Sequence, residues 1–307
     1  MTRIRVLCAL VGLVVAAAVV AVDTSHATVS PRVGVLHATF VDSTRGVAAR
    51  GPTPASAERS LQVTIRYPAA VEGENAPARR GVRTLVLFAP GLGLSDATYP
   101  RLLHDLAGAG FVVADPEFPL SSGALPGPPA PTDVVDQARD LSFVADRLFD
   151  RATRPVPLRR VSFRGRFVAA GHSDGGVTAA GAAANSCCAD PRVGAAVILS
   201  GALSRFPGGW FTNASTPPVL VIHGLADEVN PISSSEGVYA SARPPKWFVA
   251  VEGGTHIGAF EDDTTRPAVV ALVADFVRAT LLGREASAHR LDADATVPGV
   301  LELRERE

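Results

Sequence analysis

Cysteine is scarce: the 307 residues hold three, at positions 8, 187 and 188. Cys8 falls inside an N-terminal apolar run, and the adjacent Cys187 and Cys188 cannot close an ordinary long-loop disulfide with each other. A disulfide-built scaffold is therefore excluded. Three states stay open for the pair: a vicinal bridge, an intermolecular link, or two thiols buried near a helix end, which is the ordinary condition of free cysteine. No Cys/His spacing matches a zinc site, so no metal is expected. Neither sign of charge is in excess, the formal net charge being −1, and the phosphate-neutralising surplus of a nucleic-acid-binding protein is missing. No internal repeat is present. Beyond residue 22 no apolar run is long enough to cross a bilayer, although 47% of the chain is hydrophobic and can fill a substantial core.

What is there begins with Arg3 and Arg5, an uncharged run from Val6 to Val22, and then Ser25-His26-Ala27, which places small residues where a signal peptidase reads. That is the layout of a secretory signal. Residues 1–27 are accordingly set aside, residues 28–307 are expected to form one domain with a short charged tail, and the location is secreted or cell envelope. An uncleaved anchor is the competing reading, because the run approaches the roughly 20 residues that span a bilayer. After cleavage no stable membrane span is expected.

From Arg83 onward apolar runs alternate with longer helical stretches, the rhythm of a mostly parallel sheet with helices on both faces, hence an α/β class. Strands are expected at Thr84–Ala89, Phe111–Ala114, Phe167–Ala170, Val193–Leu199, Val219–His223 and Trp247–Val251. Helices are expected at Pro100–Ala109, from Thr132 or Asp133 (as cap) to about Asp150, after residue 173, and at Pro267–Leu282. Gly34–Asp42 and Leu61–Tyr67 read as an antiparallel pair at the sheet's edge. Asp115–Pro131, dense in proline and glycine, reads as a loop, and the chain after Gly283 as a short helix and irregular tail. In the segment Leu203–Thr216, Phe206, Trp210 and Phe211 are either a short pocket wall or core residues under the loop. No insertion large enough for a lid is visible.

Gly171-His172-Ser173-Asp174-Gly175-Gly176 stands between one of these strands and the small-residue stretch Val177–Ala184. A serine between glycines at such a junction reads as a nucleophile elbow, a turn too tight for flanking side chains that lifts the hydroxyl into the open. A serine needs a base, and the base an orienting acid, both on loops at strand ends further along. Asp227 follows the strand ending at His223, and His256 follows the next strand in Glu252-Gly253-Gly254-Thr255-His256. The order Ser173, Asp227, His256 is the one this architecture requires. Singly, each has a plainer alternative: a tight turn, a solvated carboxylate, a surface histidine. Glu228 is the rival acid; His172 and His223 read as packing or hydrogen-bonding residues. Two amides must hold the oxyanion of acyl transfer: that of Asp174, after the serine, and that of Leu92, in the loop Ala89-Pro90-Gly91-Leu92-Gly93.

On these residues the chain resembles the α/β-hydrolase superfamily. The pattern Leu61-Gln62-Val63-Thr64-Ile65-Arg66-Tyr67-Pro68-Ala69, with the Pro90-Gly91 loop and the elbow, is similar to secreted bacterial esterases related to platelet-activating-factor acetylhydrolase, dienelactone hydrolase and chlorophyllase, and to cutinase-like enzymes. The resemblance implies an exported, cofactor-free serine esterase acting on small-molecule or lipid esters. Two departures stand out: serine replaces the cysteine of dienelactone hydrolases, and Asp174 replaces the apolar residue usual after the cutinase-like serine. The second points away from polyesters. Other readings of the same triad are a polyester or lipid hydrolase, a perhydrolase and a peptidase; outside catalysis there is a binding protein of the same fold.

Overall fold

The computed structural model describes residues 31–204, 206–212 and 216–307, so the expected signal at 1–27 lies outside the described residues. Two long strands come first, β1 (Val33–Asp42) and β2 (Arg59–Pro68), paired antiparallel as expected, with the two-residue β3 (Gly73–Glu74) at the rim. Strands and helices then alternate: β4 (Gly81–Ala89), α1 (Pro100–Gly108), β5 (Val112–Glu117), α2 (Val134–Phe149), β6 (Val161–His172) and α3 (Asp174–Ala184). The second half adds β7 (Val193–Leu199), β8 (Val219–Gly224), α4 (Ile232–Ser241), β9 (Lys246–Val251), α5 (Gly258–Glu261), α6 (Arg266–Thr280), α7 (Glu285–Asp294) and β10 (Leu301–Arg306).

Among the described residues ten strands share one sheet, in the order β10-β9-β8-β7-β6-β4-β5-β2-β1-β3. Strands β4 to β9 are mutually parallel, and β2 and β10 flank them antiparallel. The parallel strands are apolar throughout because helices cover both faces: β7 and β8 are buried at every position. Alternate side chains divide between two cores. Leu85 and Leu87 pack with the residues of α2, α3 and α4, Val86 and Phe88 with those of α1 and α6. From β4 the chain moves outward to β5 and then returns past β4 to β6. Strand order thus reverses between β4 and β6, and the crevice beyond the ends of those strands is where such sheets bind ligands. Among the described residues no helix is long and apolar enough to cross a membrane.

Several expectations need correction. Strand β5 runs on through Asp115-Pro116-Glu117, which pair with Thr64, Val63 and Gln62 of β2; neighbour pairing overrides a composition that reads as loop. Asp133 makes no capping bond. Its carboxylate accepts instead from Arg59 Nη2 at 3.0 Å, while Asp140 takes the same buried guanidinium at 2.7 and 2.8 Å, tying β2 to α2. The tail carries the expected short helix, α7, but then forms β10, antiparallel to β9, where irregular chain was expected. Helix α4 was not anticipated, its only buried residues being Ser235, Val238 and Tyr239. Cys187 and Cys188 are joined to each other by a vicinal disulfide just beyond α3, so they are not buried thiols. Phe206, Trp210 and Phe211 belong to the core under their loop: the Phe206 ring lies over Gly181 of α3 and 5.0 Å from the Trp210 ring.

The proline-rich loop after β5 is gathered around the side chain of Arg50, with further bonds between Ser121 and Gln137 and between Ser122 and Glu117. The guanidinium of Arg50 donates to the carbonyls of Pro119, Ser122, Gly127 and Pro128, at 2.8 to 3.1 Å. Ser121 in turn accepts the amide of Gly93 at 2.8 Å, and Gly123 donates to Leu94. The loop therefore buttresses the turn that follows β4.

Candidate active site

Ser173 sits where β6 turns into α3, with φ 56° and ψ −123°. An L-residue adopts that conformation at a cost of roughly 1–3 kcal/mol, and it persists only because the surroundings enforce it. Its amide donates to Leu199 O and its carbonyl accepts from Gly176 N, both at 2.9 Å. A Cβ on Gly171 would fall inside the carbonyl of Gly175, and one on Gly175 inside the carbonyl of Ala89. The flanking glycines are thus dictated by backbone contact, which is why the hydroxyl alone projects from the turn.

The acid and histidine loops meet through a second pair of glycines. A Cβ on Gly224, at the end of β8, would strike the carbonyl of Gly254, and Ala226 N donates to that carbonyl at 2.9 Å. This approach brings His256 Nδ1 to 2.7 Å from Asp227 Oδ2. Asp227 Oδ1 accepts the amides of Val229 and Asn230 at 2.9 and 2.8 Å. Burial would raise the Asp227 carboxyl, but the bonds from His256, Asn230 and Val229 outweigh it and hold the group below its ordinary value. Glu228, the rival acid, accepts the backbone amide of His256 at 3.2 Å and leaves the imidazole to Asp227. Because Asp227 is an acceptor, Nδ1 of His256 carries the proton and Nε2 is left as a base. Among the described residues Ser173 Oγ makes no hydrogen bond to His256 Nε2; such contacts commonly close only once substrate is bound.

The turn after β4 approaches the serine closely, a Cβ on Gly91 lying 3.2 Å from that of Ser173. Gly91 N donates to Tyr99 Oη and Gly93 N to Ser121 O, whereas between them the amide of Leu92 has no acceptor among the described residues. The amide of Asp174, first in α3, also lacks one. Two unengaged amides thus flank the serine, the second at a helix N-terminus where negative charge is favoured. Leu92 (39% exposed), Leu225 (42%) and Val229 (61%) put large apolar side chains on the loops of this site. Asp174 has one carboxylate oxygen buried without a partner, and burial pushes its carboxyl above the ordinary value. Among the described residues no three His, Cys, Asp or Glu side chains converge as metal ligands.

Two buried residues at the site were not singled out by the sequence: Tyr99, whose hydroxyl meets His172 Nδ1 at 2.8 Å, and Ser235, which meets His223 Nδ1 at 2.7 Å. His172 and His223 are hydrogen-bonding core residues, as expected. His172 contacts Tyr99 Oη and His256 O, each at 2.8 Å, and His223 meets Asn230 O at 3.1 Å and stands 3.5 Å from Asp227 Oδ2.

No family model matches the chain. A stretch of 53 residues is 42% identical to the uncharacterized protein YfhR of Escherichia coli strain K12, covering 17% of this chain and 19% of that protein. A stretch of 48 residues is 48% identical to the same-named protein of Salmonella typhi, covering 16% of each. The chain therefore matches less than a fifth of the length of these curated relatives. Among solved structures it is similar to a ferulic acid esterase from Streptomyces cinnamoneus, with a TM-score of 0.67 and 22% identity over 92% of this chain and 98% of that one. The likeness establishes the fold, and the chain has the α/β-hydrolase architecture that its motifs resemble.

Proposed function

We propose that the protein is an exported serine hydrolase that cleaves carboxylic esters through an acyl-enzyme. The observation that carries this reading is the His256–Asp227 pair, 2.7 Å apart, on loops served by the same crevice as the strained turn at Ser173. In the proposed reaction Ser173 Oγ attacks the acyl carbon as its proton passes to His256 Nε2. The amides of Leu92 and Asp174 hold the oxyanion, and losing one such donor typically costs about 3 kcal/mol of transition-state stabilisation. The bond to the alcohol breaks as the imidazolium returns its proton to the leaving oxygen. Water then attacks the acyl-enzyme by the same route, giving acid and free serine. Asp227 fixes the imidazole tautomer and stabilises its charged form.

The esterase activity named for the Streptomyces structure supports an ester substrate, and the apolar side chains of Leu92, Leu225 and Val229 suit its hydrocarbon portion. Export rests on the signal layout of residues 1–27. Ser173→Ala should abolish turnover of short p-nitrophenyl esters while the unfolding midpoint stays within a few degrees of wild type; a folded variant with full activity overturns the assignment.

A further inference from the structure

The amide of Gly91, the ring of Tyr99, the imidazole of His172 and the carbonyl of His256 form one continuous buried chain of hydrogen bonds. Gly91 N donates to Tyr99 Oη at 3.1 Å, Tyr99 Oη meets His172 Nδ1 at 2.8 Å, and His172 Nε2 meets His256 O at 2.8 Å. Tyr99 and His172 are both fully buried, and Phe88 and Phe260 pack edge-on against their rings.

The direction of every proton follows from chemistry. A carbonyl only accepts, so Nε2 of His172 carries its hydrogen toward His256. Burial, and next the neighbouring His256, push the His172 imidazole down to about 3, so the ring is neutral and Nδ1 is bare. Nδ1 therefore accepts from the Tyr99 hydroxyl, whose oxygen is left free to accept the Gly91 amide. Each donor hydrogen in the chain meets one acceptor and none is unpaired.

One end of this chain precedes Leu92, the proposed oxyanion donor; the other is the backbone of the proposed base; and His172 is bonded covalently to Ser173. Resting on the serine-hydrolase reading, we infer that Tyr99 and His172 are positioning residues that lock the oxyanion turn and the histidine loop to the serine in one fixed geometry. Neither touches substrate. Their effect is on how often the three parts are correctly placed at once, and a misplacement of about 1 Å can cost on the order of a hundredfold in rate.

Tyr99→Phe removes the central hydroxyl and keeps the ring. The expected result on p-nitrophenyl acetate is a kcat lower by about ten- to a hundredfold, KM within about twofold, and slower fluorophosphonate labelling of Ser173. His172→Gln keeps an amide donor for His256 and a carbonyl acceptor for Tyr99, whereas His172→Phe keeps only bulk. The glutamine variant should retain clearly more kcat than the phenylalanine variant. Phe88→Leu, which loosens packing on Tyr99 without breaking a hydrogen bond, is the control for mere stability.

A folded Tyr99→Phe with wild-type kcat overturns the relay. So does a kcat loss no larger than that of Phe88→Leu at equal destabilisation. If Tyr99→Phe does not fold, the glutamine and phenylalanine variants at His172 decide, and equal rates in the two overturn it. Wild-type protein that resists the fluorophosphonate overturns the hydrolase reading itself and the relay with it, whereas labelled wild type beside a fully active Tyr99→Phe overturns the relay alone.

Discussion

Asp227 gives one carboxylate oxygen to His256 Nδ1, at 2.7 Å, and the other to the amides of Val229 and Asn230. The carboxylate is thus held by its own loop before it orients the ring. Asp227→Asn should preserve the loop but allow the amide to favour the wrong imidazole tautomer. A kcat lower by roughly three to four orders of magnitude is expected, with little change in KM. Steady-state kinetics on a p-nitrophenyl ester check this, and a loss below tenfold would contradict the role given to Asp227.

Gly175→Ala tests the elbow from its backbone side. The added methyl must displace the carbonyl of Ala89 at the end of β4. A destabilisation of at least about 2 kcal/mol by urea unfolding, or failure to accumulate as soluble protein, is expected, together with loss of activity.

The buried cluster of Arg59, Asp133 and Asp140 should dominate the attachment of α2 to β2. Arg59→Met leaves Asp133 buried without its cation and Asp140 with Arg45 alone, 2.7 Å away, and a loss of about 3–5 kcal/mol is expected from the shift in urea midpoint. Reverting to a neutral set, with Asp133→Asn and Asp140→Asn added, should recover part of it.

His172 links stability to pH. Its folded value is pushed down to about 3, while the unfolded chain titrates near 6.5. Between those values the unfolded state binds a proton that the folded state refuses. This contribution is therefore complete above about pH 6.5 and is lost as pH falls toward 3, by several kcal/mol at most. Urea unfolding between pH 4 and 7 should show a shallower pH dependence for His172→Gln than for wild type; parallel curves would show that His172 does not titrate this way.

Asp174 places a carboxyl group beside Ser173, the proposed nucleophile. Asp174→Asn should raise kcat/KM for an ester bearing a free carboxylate relative to its neutral homologue by about five- to tenfold at low salt, and by less at high salt. Equal ratios in the two proteins would mean that the side chain does not face the substrate.

Much of this arrangement is legible in the chain because it depends on glycine and on strand ends. The pairs Gly171/Gly175 and Gly224/Gly254 mark backbone contacts that admit no Cβ, and the fully buried strands β7 and β8 announce themselves as unbroken apolar runs. What escapes notice depends on partners distant in sequence. Asp115-Pro116-Glu117 is strand only because β2 lies beside it, and Asp133 resembles a cap until Arg59, 74 residues away, claims its carboxylate. Strand β10, Leu301-Glu302-Leu303-Arg304-Glu305-Arg306, is an edge with one partner and a mostly exposed, charged pattern. Tyr99 carries no local signal at all, since its hydroxyl matters only where three separate segments converge.

Arg50 has a consequence for how this site could diversify. The loop from Pro119 to Pro128 contributes no strand to the sheet and is anchored through its carbonyls, groups that every residue type supplies. Its own residues hold it as well: Ser121 and Ser122 are buried and bonded to Gln137 and Glu117, and a Cβ on Gly123 would strike the carbonyl of Gly93. The rim beside Gly93 is thus a fixed mount with a few open positions, Ala124 and Pro126 among them, where exchange would leave the strands that lead to Ser173, Asp227 and His256 undisturbed.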